Sequence, residues 1–441
     1  MAPVLLRIAA RSLRRNWRHT AGAALAVAVS FAAIALFDGY LTDLERMFGV
    51  MVEEQFMMGT LLVEGRGASD VLMGKAADDE PIYLHAREQA FLDEYLGARA
   101  AEVAVQFRSL FVGGIASNGR ASTPFNGWGY EPAPGAAVRR RFAWDAWAGR
   151  PLQESPEDSI VLAPGLAGLL ECAATSEEPI YSADGLPIPK PRPFRCRQPR
   201  LQLLGSTTTG QVNAVSAAVA GTAAPGRAEM DAVMAYLPLA LAQRLADTRD
   251  VTMYTVLLRD PATAERFSRD LTAAAAARGL AIDAMPWQAS YFGETFRQGM
   301  AFLRAFRGLM AGVVFAIAGA AVFSSMVKTV NERTREIGTL RSLGFLRGQV
   351  TRLFALEAAL LSAGACVAGL VVTVAVATLV NRAGLTYRPG IMATPIPLGV
   401  AVDALRYAQT AALLVALSIL AAWRPARRAA RGRIPDALAW A

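Results

Sequence analysis

Residues 328–350 read KTVNERTREIGTLRSLGFLRGQV and lie between two long uncharged segments, residues 308–327 and 358–381. The stretch carries too many charges to lie in lipid and is too short to form a domain. It therefore predicts a small helical unit at a membrane face, available to a partner on that side. Each flanking segment is long enough to cross a bilayer as a helix, which indicates the fold class.

The composition agrees with a membrane protein, since 54% of the 441 residues are hydrophobic. Four segments lack any charged residue, namely Ala21–Phe37, Gly308–Val327, Ala358–Asn381 and Tyr407–Trp423. About 20 helical residues cover the hydrocarbon core of roughly 30 Å, so the second and third segments span it readily. The first and fourth reach that length with a neighbouring turn. The sequence therefore predicts four transmembrane helices.

The distribution of arginines predicts the orientation of these helices. Residues 1–19, 328–357 and 424–441 together hold 16 basic and 4 acidic residues, whereas the whole chain has a net charge of +8. All three segments lie on the same side of a four-span arrangement. The positive-inside rule then makes both termini cytoplasmic. The basic balance indicates membrane topology and no nucleic-acid partner.

The N-terminus allows more than one interpretation. Within Val4–Arg18 the arginines fall on one helical sector, with Leu5, Ile8 and Leu13 opposite them, which predicts an amphipathic helix in the membrane interface. A plain basic tail that only sets the topology is the simpler alternative. A cleaved signal peptide is also conceivable, but the apolar run is longer than such a segment and no small-x-small site precedes Asp38. We expect an uncleaved anchor.

A large outer domain is predicted between the first two spans, where strand-like and helix-like pieces alternate. Its end has a β-α-β pattern, with a strand over Val251–Leu258, a helix from Thr263 to Arg278 and a strand over Leu280–Met285. Residues 179–199 contain six prolines and predict an irregular connection. Further predicted elements are strands at Thr60–Glu64 and Val103–Val112 and helices at Ala86–Leu96 and Leu237–Leu245.

The predicted fold class is an α-helical membrane protein with four transmembrane helices and a large mixed α/β periplasmic domain inserted between the first and second. The expected organisation is an amphipathic helix at 1–19, spans at 20–40, 300–327, 358–381 and 401–423, the α/β domain at 41–299, a stalk with a coupling helix at 328–357, a periplasmic loop at 382–400 and a cytoplasmic tail at 424–441.

The cysteines allow a disulfide in the outer domain. Cys172 and Cys196 flank the proline-rich segment in an oxidising compartment, so they either pair or remain two unpaired thiols. Two cysteines without nearby histidines fall short of the usual metal-ligand set. Cys366 lies within the third span, where packing is its expected role.

Several kinds of chemistry have no support in the sequence. The two histidines, His19 and His85, fall on opposite sides of the membrane, and no G-x-x-x-x-G-K-[ST] motif occurs. The spans hold essentially no ionisable groups, since Asp38 and Asp403 lie at their edges, which disfavours an ion-coupled carrier. We expect a non-enzymatic chain without catalytic, cofactor-binding or metal residues. Any energy input would have to come from a partner on the cytoplasmic side.

Two adjoining motifs carry a family resemblance. Residues 332–344, ERTREIGTLRSLG, and 347–358, RGQVTRLFALEA, closely resemble the signature of FtsX-like permeases. That family includes the macrolide-exporter (MacB) and lipoprotein-release (LolC/LolE) membrane subunits of ABC transporters. Residues 425–430, PARRAA, and 434–438, IPDAL, resemble its C-terminal ending.

The outer domain resembles this family more loosely. Gly127–Pro132 is similar to a Gly-Ile-Asp-Pro-type turn, and Ser159–Ala167 to a strand that leads into a helix. Asp231–Leu245 is similar to another strand-to-helix element. The segment after the first span leans weakly toward the lipoprotein-release branch.

The resemblance implies a dimer of four-span subunits, identical or paralogous, bound to two separate ATPase subunits that hold ATP and Mg²⁺. Membrane lipid and a periplasmic substrate or chaperone would be further partners. A stalk and a coupling helix, roughly Arg341–Val350, would sit in a groove of the ATPase, with Gly338, Gly344 and Gly348 allowing a bend and Leu346 adding to an apolar anchor. A solvated amphipathic helix that lies on lipid is the alternative. The residues expected to couple to the ATPase are Glu332, Arg333, Arg335, Glu336, Arg341, Leu343, Gly344, Phe345 and Arg347.

Small residues in the second span, Gly308, Gly312 and Gly319, could pack against a second subunit or equally well within the chain. Two functions follow from the resemblance. The first is a permease subunit that extracts or exports a hydrophobic or lipid-linked substrate, such as a lipoprotein. The alternative is an FtsX-like mechanotransmitting scaffold that activates a periplasmic partner, such as a cell-wall hydrolase, without moving cargo.

Overall fold

The computed structural model describes residues 2–15, 17–69, 82–139, 148–174, 194–226, 228–388 and 395–432. Most of the proline-rich segment and the C-terminal motif at 434–438 lie outside these ranges. The α-helices, in chain order, are α1 Ala2–Arg15, α2 Trp17–Val50, α3 Ala86–Gly97, α4 Pro132–Val138, α5 Pro164–Leu169, α6 Leu239–Ala246, α7 Ala264–Ala277, α8 Tyr291–Glu332, α9 Thr334–Ser342, α10 Arg347–Ala383 and α11 Ala404–Arg431.

Most of the strands are short. They are β1 Leu61–Gly65, β2 Val103–Ser117, β3 Ser122–Tyr130, β4 Ala148–Gly149, β5 Ser159–Leu162, β6 Cys172–Ala174, β7 Phe194–Cys196, β8 Arg200–Ser206, β9 Val212–Thr222, β10 Met234–Pro238, β11 Met253–Leu258, β12 Ile282–Pro286, β13 Thr386–Tyr387 and β14 Ile396–Pro397. The three longest are β2, β3 and β9. A π-helical turn, Met51–Gln55, extends α2.

The described chain divides into two compact units. The helical unit comprises Met1–Glu45, Ala301–Ala383 and Leu398–Ala441, and the sheet unit comprises Arg46–Met300 and Gly384–Pro397. Four helices are long and apolar enough to cross a membrane: Thr20–Gln55, Phe296–Glu332, Arg347–Ala383 and Ala404–Arg431. With the mixed α/β unit inserted between the first and second of these helices, the predicted fold class is confirmed.

All four of these helices exceed the length that a bilayer requires. They have 36, 37, 37 and 28 residues, whereas about 20 cover the hydrocarbon core. Each therefore continues beyond the apolar layer. The third helix begins at Arg347 and runs unbroken through residue 358, the first residue of the predicted third span.

The helical unit has its own apolar core. Val27 and Phe31 of α2, Val322 of α8, Ala358 of α10 and Leu414 of α11 are all buried in one cluster. The N-terminal helix α1 packs on α10. In α1 the side chains of Arg7, Arg11 and Arg15 are exposed while those of Ala9 and Ser12 are buried, as expected for an amphipathic helix.

Ion pairs and hydrogen bonds join the helices at the end opposite their arginine-rich segments. Arg304 of α8 donates to Glu45 of α2 at 2.8 Å, and Arg307 lies 3.3 Å from Asp38. Asn381 of α10 exchanges two hydrogen bonds with the backbone of Val400. These contacts tie α8 to α2, and α10 to the segment that precedes α11, at that end.

The sheet unit is built on a ten-stranded mixed sheet with the order β12-β1-β11-β2-β3-β10-β5-β9-β4, in which β8 pairs with both β2 and β9. Six strands, β2, β3, β10, β5, β9 and β8, thus pair in a closed circuit. Most pairs are antiparallel, while β3 with β10 and β5 with β9 are parallel. A mixed sheet of this kind agrees with the predicted α/β domain.

The predicted β-α-β ending is present. Strands β11 and β12 both pair antiparallel with β1, which lies between them, and α7 connects them. Side chains alternate across this part of the sheet, as the period of two requires. Leu61 and Val63 enter the core shared with α3 and α7, whereas Leu62 enters the opposite core with Trp128 and Trp287.

One predicted local feature of the sheet unit is wrong. Residues 127–132, compared above with a turn, instead form the end of β3 and the first residue of α4. Strand structure extends through Tyr130 because β3 pairs with β2 on one side and β10 on the other. Gly129 is required there, since a Cβ would lie 2.2 Å from the Cβ of Ala242 on α6.

Candidate functional site

The helix that contains the second apolar segment is interrupted at a single residue, Arg333. Helix α8 ends at Glu332 and α9 begins at Thr334, and the backbone of Arg333 departs from helical geometry with φ −106° and ψ 17°. Helix α9 ends at Ser342, and α10 begins five residues later at Arg347. The expected coupling helix over Arg341–Val350 is therefore wrong. That range contains the end of one helix, a turn and the start of the next.

The side chain of Arg333 is the centre of a polar network inside the helical unit. Its Nη1 donates to Glu357 Oε1 of α10 at 2.8 Å and to Ser12 Oγ of α1 at 2.7 Å. Its Nε donates to Glu336 Oε2 at 2.7 Å. Arg15 of α1 also donates to Glu336. Four helical segments are thereby tied together by one guanidinium and its neighbours.

The electrostatics of this network hold its groups in their charged forms. Burial acts to lower the pKa of Arg333, but the carboxylates of Glu357 and Glu336 outweigh it and raise that pKa. Burial likewise acts to raise the pKa of Glu336, and the hydrogen bonds from Arg333 and Arg15 outweigh it and lower that pKa. Arg333 and Glu336 therefore remain ionised at neutral pH.

Arg333 was expected to take part in coupling to an ATPase, and the structure places its side chain inside the helical unit. Only 11% of its side chain is exposed, and its guanidinium lies 5.5 Å from the centre of the Phe354 ring. Its hydrogen-bonding capacity is directed at Glu357, Glu336 and Ser12. A residue so placed holds the helices together.

The turn between α9 and α10 presents two leucines to solvent. Leu343 is 74% exposed and Leu346 is 68% exposed. Gly344 has φ +95°, a conformation that favours glycine and ends α9 abruptly. The side chain of Gln349 reaches back to accept from the N–H of Leu346 at 2.9 Å, in the manner of a capping box, and fixes the start of α10.

Phe345 points the other way. It packs against a buried cluster formed by Val330, Ile337, Val350, Phe354, Ala426 and Ala430. Its predicted place beside Leu343 and Leu346 in an exposed apolar anchor is therefore wrong. Because Gly344 reverses the chain, successive side chains of the turn point to opposite sides, and Phe345 holds the turn against the helices.

The remaining predicted residues divide between exposed and internally bonded positions. Arg335 and Arg347 are exposed, and Glu332 lies 3.9 Å from Lys328 on the same helix. Arg341 donates to the backbone oxygen of Gly432 at the end of α11. Gly338 is buried within α9 and Gly348 lies in the first turn of α10, so of the three glycines only Gly344 makes the bend.

Two members of the polar network, Glu357 and Ser12, were not recognised as site residues from the sequence. Glu357 is the single acidic residue of α10, at 2% side-chain exposure. A lone carboxylate in an otherwise apolar helix is a signal of a buried partner. Ser12 offered no comparable signal, since a serine in an amphipathic helix has no distinguishing pattern.

The glycines of the second apolar helix differ in their surroundings. At Gly308 and Gly312 an added Cβ would meet no atom of the described chain within 4 Å. At Gly319 it would meet Leu417 of α11 at 3.6 Å. Gly319 therefore packs within the chain, which is one of the two alternatives expected for it, whereas Gly308 and Gly312 lie on an uncovered face.

The two cysteines of the sheet unit lie opposite each other on β6 and β7 and form a disulfide. It closes the segment between them, with a sequence separation of 24 residues. Cys366 is buried in the helical unit. Within the described ranges, no three His, Cys, Asp or Glu side chains converge in a way that could hold a metal ion.

These features define a polytopic membrane protein with a large mixed α/β domain and an arginine-rich turn between its second and third long helices. Residues 308–434 match the family of the FtsX-like permease C-terminal domain. The arginine-rich turn described above lies within the matched residues.

Curated relatives are ABC transporter permeases. YtrF of Bacillus subtilis (strain 168) is 33% identical over 95 residues, which is 22% of this chain and 20% of that protein. The permease YknZ of the same organism is 42% identical over 55 residues, 12% of this chain and 14% of that protein. The chain thus aligns with only a fifth or less of the length of each of these relatives.

Two solved structures are similar to part of the chain. The extracellular domain of the ABC-type transporter YknZ from Gram-positive bacteria has 12% identity and a TM-score of 0.31, covering 51% of this chain and 98% of that one. The periplasmic region of MacB from Actinobacillus actinomycetemcomitans has 12% identity and a TM-score of 0.33, covering 57% of this chain and 97% of that one.

Proposed function

We propose that this protein is the membrane subunit of an ABC transporter of the MacB and lipoprotein-release type. It works as a dimer of identical or paralogous subunits with two ATPase subunits, which supply ATP hydrolysis, while the chain itself is not an enzyme. It lies in the bacterial inner membrane with both termini in the cytoplasm, as the arginine distribution supports. The FtsX-like permease domain at residues 308–434 supports this proposal.

One observation carries the proposal: the exposed leucine pair, Leu343 and Leu346, at the tip of the turn. Each exposes more than two thirds of its side chain, although both lie among charged residues rather than in the apolar middle of the helices. Apolar side chains flanked by charged ones resemble the centre and rim of a protein interface. Arg335 and Arg347 are exposed nearby along the chain and would contribute to the rim.

The polar network explains how a push on the turn would be transmitted. Arg333 joins the end of α8 to Glu357 of α10, and Phe345 anchors the turn to α10 and α11. Movement of the turn would therefore displace these long helices together instead of bending a loop. We propose that this displacement changes the conformation of the α/β domain, which extracts or exports a hydrophobic or lipid-linked substrate such as a lipoprotein.

The test is to replace both leucines with aspartate, Leu343→Asp and Leu346→Asp, and to measure co-purification of an ABC ATPase co-expressed from the same organism. Charged side chains would not enter an apolar pocket, so we expect ATPase binding to fall by at least tenfold, on the order of 1.4 kcal/mol or more. Membrane insertion should be unchanged, because neither leucine belongs to the buried cluster that Phe345 packs against.

Leu385→Asp is the matched control, since Leu385 is also exposed, at 49%, and lies in the sheet unit. It should leave ATPase binding unchanged. Undiminished binding by the double leucine variant would contradict the proposed site. If the complex released no lipid or lipoprotein but stimulated a periplasmic hydrolase on ATP turnover, the scaffold function would be favoured over transport.

A further inference from the structure

A cavity of about 450 Å³ lies at the arginine-rich end of the helical unit, between the first turns of α10 and the last turns of α11. Four arginines line it, two from each helix. Its principal lining residues are Arg347, Thr351 and Arg352 from α10 and Trp423, Arg427 and Arg431 from α11. Four guanidinium groups thus surround one small volume.

Within the described ranges, no carboxylate compensates these charges. The acidic residues on the neighbouring helices are engaged elsewhere, since Glu332 lies beside Lys328, and Glu336 and Glu357 bond to Arg333. The four arginines of the cavity are themselves exposed. Like charges gathered at one place repel one another unless an anion joins them. The arrangement therefore fits a negatively charged ligand.

The first turn of α10 adds to the same field. Helix N-termini carry a partial positive charge and unpaired N–H groups, which favour phosphate. Gly348 lies in this turn and lines the cavity, and an added Cβ would meet no atom within 4 Å there. The backbone is therefore accessible to a ligand from the cavity side.

The surface of α11 indicates what kind of anion fits. Leu420, Trp423, Arg427 and Arg431 are spaced by three, four and four residues and so share one helix face. Leu420 is 69% exposed and Trp423 is 45% exposed. Along this face the side chains change from apolar to aromatic to basic, the same order as the layers of a lipid molecule from acyl chain to headgroup.

We propose that this cavity binds the phosphate of an anionic phospholipid headgroup. Arg352 and Arg427 bond the phosphate oxygens from opposite walls, and the guanidinium fork suits that geometry. Trp423 lies at the interfacial level, and the acyl chains continue along Leu420. Basic pockets between membrane helices bind such headgroups in this way. The inference requires that α10 and α11 cross the membrane, and it does not depend on ATPase coupling.

The test uses the purified full chain in detergent and counts retained lipid by native mass spectrometry. The probes are phosphatidylglycerol, phosphatidylcholine and inorganic phosphate, each added alone. Inorganic phosphate is also added together with phosphatidylglycerol, to compete with the lipid. We expect the wild-type chain to retain phosphatidylglycerol in preference to phosphatidylcholine. Arg352→Gln with Arg427→Gln should weaken that retention about thirtyfold, since each arginine near a lipid surface contributes on the order of 1 kcal/mol and the pair about 2 kcal/mol.

The matched control is Arg335→Gln with Arg428→Gln, which removes the same charge from exposed arginines that do not line the cavity. It should retain the lipid as the wild type does. Arg352→Lys with Arg427→Lys keeps both positive charges. It should give intermediate lipid retention, because lysine lacks the two-pronged guanidinium geometry of arginine.

Three results would overturn the inference. Equal losses in the cavity and control pairs would indicate only a general attraction of a basic face to anionic lipid. Binding of inorganic phosphate with no preference between the two lipids would indicate a site for a free anion. Loss of ATPase binding in the cavity pair, with lipid retention unchanged, would indicate a protein contact.

Discussion

Arg333 Nη1 lies 2.8 Å from Glu357 Oε1, and the two side chains are 11% and 2% exposed. The pair joins the break between α8 and α9 to the interior of α10, across 24 positions of sequence. Because both groups are withdrawn from water, their charges depend on each other and on the hydrogen bonds from Arg333 to Glu336 and Ser12. This pair holds the turn in a fixed position relative to the long helices.

Removing one charge of the pair is expected to destabilise the helical unit. In Glu357→Gln the guanidinium of Arg333 would lose its buried counter-charge, and the expected loss of unfolding free energy is about 3 kcal/mol. Thermal unfolding of the purified chain in detergent measures it. Glu332→Gln, at an exposed pair with Lys328, should change stability by less than about 1 kcal/mol.

Removing both charges gives the complementary result. Arg333→Met combined with Glu357→Leu leaves no uncompensated buried charge, so this double variant should recover most of the stability lost in Glu357→Gln. A double variant as unstable as the single one would show that the pair is not the source of the effect. ATPase binding should remain, since neither residue is presented to the partner.

The two sides of the turn should respond differently to truncation. Phe345→Ala removes a ring from the cluster with Ile337 and Phe354, and should cost about 2 kcal/mol of unfolding free energy. Leu343→Ala removes a side chain that is 74% exposed and should cost less than about 0.5 kcal/mol. Comparable losses in both variants would contradict the observed orientation of the turn.

The stability of the helical unit should depend on pH through Glu336. Its pKa in the folded protein is lowered, with hydrogen bonds from Arg333 and Arg15 outweighing burial. The stabilisation is therefore present above the unfolded pKa of about 4.3 and is lost as the pH falls through the lower folded value. The difference in melting temperature between wild type and Glu336→Gln should be constant from pH 8 to about 5.

Below about pH 4.3 that difference should shrink, because the carboxyl group becomes neutral in both states. Other carboxylates titrate equally in the two proteins and cancel in the comparison. A difference that persists unchanged to the lowest pH at which the chain folds would mean that Glu336 contributes through packing and not through its charge.

The disulfide of the sheet unit should be visible by thiol counting. The chain has three cysteines. After denaturation without a reductant only Cys366 should react with a maleimide, and after reduction all three should react. Closing a segment of 24 residues is expected to stabilise the sheet unit by about 3 kcal/mol, so Cys172→Ser with Cys196→Ser should lower its melting temperature. Three reactive thiols before reduction would contradict the pairing.

Much of the fold is readable along the chain because it depends on local patterns. Uncharged segments of about 20 residues predict spanning helices, and period-two alternation with a following helix predicts the β11-α7-β12 ending. The predicted strand Val251–Leu258 differs from β11, Met253–Leu258, by two residues. The candidate site is partly predictable in the same way, since Gly344 and the two exposed leucines lie within one short motif.

The sequence by itself therefore determined the number of apolar helices, the mixed α/β domain and the position of the turn, since each follows from composition or spacing within a single segment. Only the tertiary structure decided the roles of Arg333 and Phe345. In the sequence Arg333 is indistinguishable from an exposed charge, whereas in the fold it bonds to Ser12 of α1 and Glu357 of α10. In the sequence Phe345 and Leu343 are equivalent apolar residues, whereas in the fold the turn at Gly344 directs Phe345 toward Ile337 and Ala426. The physical reason is that burial and counter-charges come from distant segments, which no local pattern records.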